Sequence, residues 1–219
     1  GKRTGGYKDI TDLSGFMNFV YKPWPVLNLQ PGVRVMYNSN YKAPVVYGFN
    51  VKYSPARFVF RASYARGFRA PSLKQLYLQF IDNNHEIHGN PDLKAESADN
   101  LNVSVNYDLS KKKHSFTVAF DLFYNAINNA IQLAINTQRP GWGMYFNVEG
   151  NQFKTQGAEL RLGYRYSPVL GVNAGIITTG RSRLGSDRNA FAYSTDITAS
   201  MNYLFQKYKI QLAAYYKYT

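Results

Sequence analysis

The sequence predicts an all-β protein, an antiparallel up-and-down transmembrane β-barrel wall of about ten strands. Three observations carry that expectation. Apolar and polar residues alternate over runs of about ten positions, the connections between runs are alternately short and long, and aromatic residues gather beside the short ones. Composition agrees. Among 219 residues there are 19 Tyr, 14 Phe and 2 Trp, whereas charged residues reach only 18%, below the roughly 25% of soluble domains. The absence of cysteine excludes disulfide frameworks, Cys-ligated zinc, iron–sulfur clusters and thiol catalysis. No apolar stretch is long enough for a membrane helix, and the opening Gly1-Lys2-Arg3-Thr4-Gly5-Gly6 has no signal-peptide core.

The strands are expected near 12–22, 26–37, 44–54, 57–66, 97–108, 114–129, 146–166, 169–180, 190–204 and 207–218. Several show a clean period of two. Leu101, Val103, Val105 and Tyr107 alternate with Asn102, Ser104, Asn106 and Asp108. Phe116, Val118, Phe120, Leu122 and Tyr124 alternate with Ser115, Thr117, Ala119, Asp121 and Asn125, and only Phe123 breaks the order. Ala158, Leu160, Leu162 and Tyr164 alternate with Glu159, Arg161, Gly163 and Arg165. Such alternation is a strand with one apolar and one polar face. Strands of soluble domains average about five or six residues, whereas about nine to eleven are needed to cross a bilayer. The runs have membrane length.

The links sort by parity. They are short at Pro23-Trp24-Pro25, Pro55, Lys111-Lys112-Lys113, Pro168 and Gln206, and long at 38–43, 67–96, 130–145 and 181–189. Tight turns at one end and long loops at the other describe an outer-membrane meander; a β-sandwich has no reason to sort its loops this way. Tyr21, Trp24, Tyr53, Tyr107, Tyr166, Tyr203, Phe205 and Tyr208 lie beside the short turns, where an interfacial aromatic girdle belongs.

The 67–96 segment has a composition of its own and is read as a long extracellular loop holding a short helix. Leu73, Leu76, Tyr77, Phe80 and Ile81 recur at helical spacing, and Ser72 with Gln75 fits a capping box just after Pro71. Phe68-Arg69-Ala70-Pro71, followed by Asn90-Pro91-Asp92-Leu93-Lys94 and Glu96, resembles the paired boxes of TonB-dependent outer-membrane receptors. The surroundings are similar too: Ser63-Tyr64-Ala65-Arg66-Gly67 before the first box and Gly157-Ala158-Glu159-Leu160 further on.

The resemblance implies a barrel of about 22 strands plugged by a separate domain, placed in the bacterial outer membrane. It would import haem, a ferric siderophore or cobalamin as cargo, with no resident cofactor and no catalytic residues. Its partners would be outer-membrane lipid and the inner-membrane energy-transducing protein TonB, reached through the plug. The chain shows about ten strands and no plug, so residues 1–219 are expected to be a piece of such a barrel with the plug absent.

Candidate sites follow. Haem-import receptors of the family carry a histidine between the two boxes, where His85 and His88 both lie. An imidazole nitrogen serves as an axial iron ligand, and His88 is placed slightly ahead of His85 because it adjoins the second box. Arg57, Arg61, Arg161 and Arg165 sit on polar strand faces and are expected to point into the lumen, where guanidinium forks bind carboxylate or phosphate; the competing reading pairs them with Glu159 and Asp121. Of the box residues Phe68, Arg69, Ala70, Pro71, Asn90, Pro91, Asp92 and Leu93, the polar ones are read as a turn and a charged latch. His114, beside the lysine turn, is read as uninvolved.

Two other classes compete. A self-contained ten-stranded barrel acting as a pore or protease would press Asp82, His85, Glu86, His88 and Asp187 into acid–base work, which requires them to converge within hydrogen-bond reach. A nucleic-acid binder would use the net charge of +13, but the aromatics alternate along long strands and no RNP-like or helix-turn-helix pattern is present; no nucleic-acid partner is expected.

Overall fold

The structure, a computed structural model, describes residues 8–148, 153–182 and 190–219. In chain order come β1 (Asp12–Asn18), β2 (Tyr21–Trp24), β3 (Leu27–Asn38), β4 (Val46–Tyr53), β5 (Phe58–Arg69), α1 (Leu73–Tyr77), β6 (Gln79–Ile81) and β7 (Glu86–His88). They are followed by β8 (Glu96–Lys111), β9 (His114–Asn128), β10 (Ile131–Ile135), β11 (Trp142–Asn147), β12 (Phe153–Tyr166), β13 (Leu170–Ser182), β14 (Phe191–Phe205) and β15 (Ile210–Tyr218).

The long strands form one meander in the order β1-β3-β4-β5-β8-β9-β12-β13-β14-β15, with β2 also on β3. Every neighbouring pair is antiparallel. β1 and β2 are one expected strand interrupted at Phe19 and Val20. Among the described residues β1 and β15 are open edges and do not pair with each other, so this wall does not close into a ten-stranded barrel.

One face of the wall is apolar and the other polar. On one face Leu101, Val103, Phe116, Val118, Phe120, Leu122, Leu160 and Leu162 are all exposed, as an apolar sheet face turned to lipid would be. Register places Asn102, Ser104, Asp121, Glu159 and Asp196 on the opposite, polar face. Phe123 stands on that polar face because Gly157, its cross-strand partner, has no side chain. A methyl on Gly157 would collide with the Phe123 ring, so the ring fills the space the glycine leaves.

The short turns close tightly. Ala56, Lys112 and Lys209 take left-handed backbone (φ 49°, 51° and 54°), which lets adjacent long strands reverse in a few residues. Beside them Phe58 and Tyr107 pack with ring centroids 4.8 Å apart, Phe116 and Tyr164 at 4.7 Å, and Tyr203 and Phe205 at 4.7 Å. His114 is absorbed here, its Nδ1 2.9 Å from the Tyr164 hydroxyl.

The opposite end departs from the expected loops. Gly67, Phe68 and Arg69 continue β5, paired with Ala98, Ser97 and Glu96 of β8, so the connection is shorter at both ends than 67–96. The ladder runs on until Pro71, which has no N–H to give. Only 73–77 is helical; Phe80 and Ile81, expected on the same helix face, belong to β6. The expected loop 130–145 contains β10 and the start of β11, and β12 begins at Phe153 rather than 146. Residues 149–152 and most of the 181–189 connection, Asp187 included, lie outside the described residues. These rim pieces make a second sheet in the order β10-β11-β7-β6, with β11 parallel to β7.

Candidate functional site

The rim is where the described chain buries apolar side chains. Leu76, Leu93, Ala126, Ala130 and Val148 are buried and Pro71 fully so, and all belong to this end. Burying each leucine contributes about 2 kcal/mol. Helix α1 starts with a complete capping box: Gln75 N–H donates to Ser72 Oγ (3.3 Å) and Ser72 N–H to Gln75 Oε1 (3.0 Å). Its far end is closed by the second box, as Gly89 N–H donates to the Leu78 carbonyl (2.6 Å) and Asn90 N–H to the Gln75 carbonyl (2.8 Å).

The boxes meet in one latch. Arg69 Nε donates to Glu96, its Nη1 to Gln75 Oε1 (3.2 Å), and Glu96 Oε1 accepts the Ile131 N–H (2.7 Å). One ion pair thereby ties β5, α1, β8 and β10. Asn90 Oδ1 accepts the Asp92 N–H (2.9 Å), an Asx turn ahead of buried Leu93. Tyr41, from the β3–β4 loop, donates its hydroxyl to the Leu93 carbonyl (2.9 Å); partial burial and then neighbouring Tyr77 push that hydroxyl's pKa up. Asn147 was not singled out from sequence, yet it accepts the Lys94 N–H (2.7 Å) and donates to the Lys94 and Asn129 carbonyls (2.9 and 2.7 Å). A lone asparagine at a strand end carries no sequence signal of that role.

The two histidines sit differently. His85 Nδ1 lies 3.1 Å from Asp82 Oδ1 and its ring 6.3 Å from that of Phe80. The side chain is exposed, and Nε2 has no hydrogen-bond partner among the described residues. His88 is more buried, with Nε2 3.0 Å from Glu86 Oε1 and its ring 6.2 Å from Trp142. The turn carrying His85 leans on the other rim loop: Glu86 N–H donates to the Gly141 carbonyl (2.8 Å). Gly141, at φ 84°, packs so closely under Asn84 that a methyl there would overlap its carbonyl oxygen. The acids and histidines form separate Asp82–His85 and Glu86–His88 pairs, and among the described residues no group of three or more such side chains converges on a metal site.

Asp82 holds the turn together. Its Oδ1 accepts the N–H groups of Asn84 (2.8 Å) and His85 (2.6 Å). The Asn84 N–H first, and then the His85 ring and N–H, hold its carboxyl below the ordinary value of 3.8 against a partial loss of solvation. A depressed folded-state pKa means stability fully present above the ordinary value and lost as pH falls through the folded one. Protection of the Asn84 and His85 amides, taken relative to their intrinsic exchange rates, is therefore expected to fall as pH drops below the ordinary value of 3.8. Protection unchanged over that window, read by NMR, would contradict the linkage.

On the inner face, Arg161 donates to Asp121 Oδ2 (2.7 Å) and lies 3.6 Å from Glu159 Oε1. Lys217 is 3.4 Å from Asp196. Arg57, Arg61 and Arg165 make no ion pair with a described residue; Arg57 and Arg165 lie near the short turns, and Arg61 lies mid-wall. Lys52, opposite Arg61 on β4, was not singled out from sequence, although it alternates with Val51 and Tyr53 as a polar-face residue should.

Comparison with known proteins agrees with this architecture. The family model described as TonB dependent receptor-like, beta-barrel matches residues 4–219. "Probable hemoglobin and hemoglobin-haptoglobin-binding protein 4" of Haemophilus influenzae is 25% identical over 167 residues, 69% of this chain and 17% of that protein. The siderophore receptor PirA of Acinetobacter baumannii superimposes with a TM-score of 0.69 at 14% identity, covering 95% of this chain and 33% of that one. A double mutant of the Serratia marcescens hemophore receptor HasR, in complex with HasA and heme, gives 0.68 at 12% identity, covering 94% and 43%. The chain thus spans about a sixth of the curated relative and a third to under half of these receptors. With the match covering nearly every residue, the chain belongs to the TonB-dependent receptor β-barrel family and is an outer-membrane protein.

Proposed function

We propose that this chain is a wall sector and outer rim of an energy-coupled receptor, with a barrel of about 22 strands, that imports an iron complex, and that the complex is haem. The observation that carries the reading is the Asp82–His85 pair in the loop between the two boxes. An imidazole whose Nδ1 faces a carboxylate is fixed in tautomer and made a better donor at Nε2, the nitrogen that His85 leaves free. The Phe80 ring beside it gives a flat macrocycle an apolar neighbour. His88, tied at Nε2 and packed on Trp142, is the poorer ligand of the two and shapes the loop. The haemoglobin-binding and hemophore-receptor relatives support haem; the siderophore receptor supports the same class of cargo. TonB, acting through a plug, is the proposed energy source, and outer-membrane lipid the surrounding partner.

The test is a haemin titration of the full-length receptor, followed by its Soret band, with ferric siderophore and cobalamin as parallel arms. His85→Ala is expected to abolish the axial-ligand Soret signature. Asp82→Asn is expected to weaken haemin binding about tenfold, and His88→Ala to leave the signature in place. An unchanged Soret band in His85→Ala, or binding confined to the other two ligands, would sink the haem reading.

A further inference from the structure

Every short turn of the wall carries positive charge. Lys22, Arg57, Lys111 to Lys113, Arg165 and Lys207 with Lys209 lie in or beside these turns, against one acid, Asp108. None of these cations makes an ion pair with a described residue. The β8–β9 turn is the densest point. Lys111 and His114 oppose each other on its last rung, and Leu109 and Phe116 oppose each other two residues further in. By register these four share the lipid-facing side with Tyr107 and Val118, while Asp108 falls on the polar side. Lys111, Lys112, Lys113 and His114 are all exposed. The turn itself is held in place: Lys112 takes left-handed backbone at φ 51°, and the Ser167 N–H donates to the Lys113 carbonyl (2.9 Å). His114 is oriented by the Tyr164 hydroxyl, 2.9 Å from Nδ1, and by the Tyr166 ring at 5.0 Å. Its Nε2 has no hydrogen-bond partner among the described residues.

We propose that Lys111 and His114, with Lys112 and Lys113 beside them, bind the headgroup of an anionic phospholipid whose acyl chains lie on Leu109 and Phe116. Positive charge alone would suit any acidic partner, but here it ends an apolar stripe on one face of the wall. The occupant must therefore carry an anion and hydrocarbon side by side. In a bilayer that stripe is covered by lipid chains, so the headgroup over the lysines belongs to a molecule already seated there. A lysine stem runs along apolar surface while its ammonium reaches the phosphate, and a protonated Nε2 of His114 adds a further donor. Short turns of outer-membrane barrels face the periplasm, which places the site in the inner, phospholipid leaflet. The inference is independent of which cargo the receptor carries.

The experiment titrates the full-length receptor, in a neutral detergent, with phosphatidylglycerol and separately with phosphatidylethanolamine, and counts bound lipid by native mass spectrometry. Wild type is expected to prefer phosphatidylglycerol by about tenfold or more. Lys111→Gln should lower that preference about fivefold, and Lys111→Gln/Lys112→Asn/Lys113→Gln should abolish it. Asparagine is chosen at 112 because it tolerates left-handed backbone. Lys42→Gln, in the β3–β4 loop at the opposite end, should leave the preference intact. Folding of each variant is checked by heat-modifiable gel mobility. Equal retention of the two lipids by wild type overturns the proposal, as does a preference unchanged in the folded triple variant. Should the triple variant not fold, Lys111→Gln decides the matter in the same sense. Glycerol phosphate that binds as tightly as phosphatidylglycerol also overturns it, since the chains then contribute nothing. So does polyglutamate that displaces the lipid, which would mark a surface for an acidic polypeptide. A haemin titration that fails in wild type removes the haem reading and leaves this one standing.

Discussion

Gly141→Ala is expected to unseat the turn that carries His85. The new methyl group meets the Asn84 carbonyl, and the left-handed backbone at φ 84° disfavours any side chain. Strain of this kind costs about 1–3 kcal/mol, more than a short exposed turn has in reserve, so the loop moves rather than the glycine. The first bond lost is Glu86 N–H to the Gly141 carbonyl, which links β7 to the loop before β11. Two readouts should change together: the Glu86 amide exchanges faster and, if haem is the cargo, haemin affinity falls about tenfold or more. The wall should be untouched, so gel mobility of the folded barrel stays the same. Full protection of the Glu86 amide in the variant would show that the two rim loops do not support each other.

Arg69→Ala is expected to open the latch where β5, α1, β8 and β10 meet. The carboxylate left behind is poorly exposed, with a Glu96 side chain at 15%, and loses its charged partner while keeping the Ile131 N–H. Removing a charge-assisted bond costs about 1.5–3 kcal/mol, drawn from the rim rather than the wall. Limited proteolysis between residues 70 and 95 should accelerate accordingly. Arg69→Lys should recover less than half, because an ammonium cannot reach Glu96 and Gln75 at once as Nε and Nη1 do. In a double-mutant cycle, Glu96→Gln should reduce the cost of the Arg69 substitution to the share that Gln75 carries; additive losses would mean that the pair does not act as a unit.

What could be read from the sequence follows from how far each signal travels along the chain. Wall strands such as Leu101–Tyr107 and Phe116–Tyr124 announce themselves because a period of two is local and lipid enforces it at every second residue. The capping box at Ser72 and Gln75 is likewise a four-residue pattern. The rim sheet is not legible in this way. β6 and β7 are three residues each, and β7 pairs in parallel with β11 across more than fifty positions, so neither has a period to detect. Phe123 looked like an error in alternation until Gly157 stood opposite it. Telling His85 from His88 depends on which ring nitrogen a neighbouring acid occupies, and sequence spacing alone is silent on that. Gly141 acts through Asn84, and Asn147 through Lys94 as well as the nearer Asn129, so the main partner of each lies more than fifty residues away.

The confinement of buried apolar side chains to one end has a consequence for how the molecule changes over evolutionary time. A wall one residue thick has little interior jigsaw: apart from a fitted pair such as Phe123 and Gly157, each outward side chain need only be greasy and each inward one polar, so most of its positions are free to drift independently of one another. The rim is different, since Pro71, Leu76 and Leu93 are buried there and the latch ties four elements to one guanidinium. Substitutions there must come in concert or not at all. The recognisable boxes therefore mark the part of the chain where mutation is least free, and the barrel around them keeps its shape while its residues turn over.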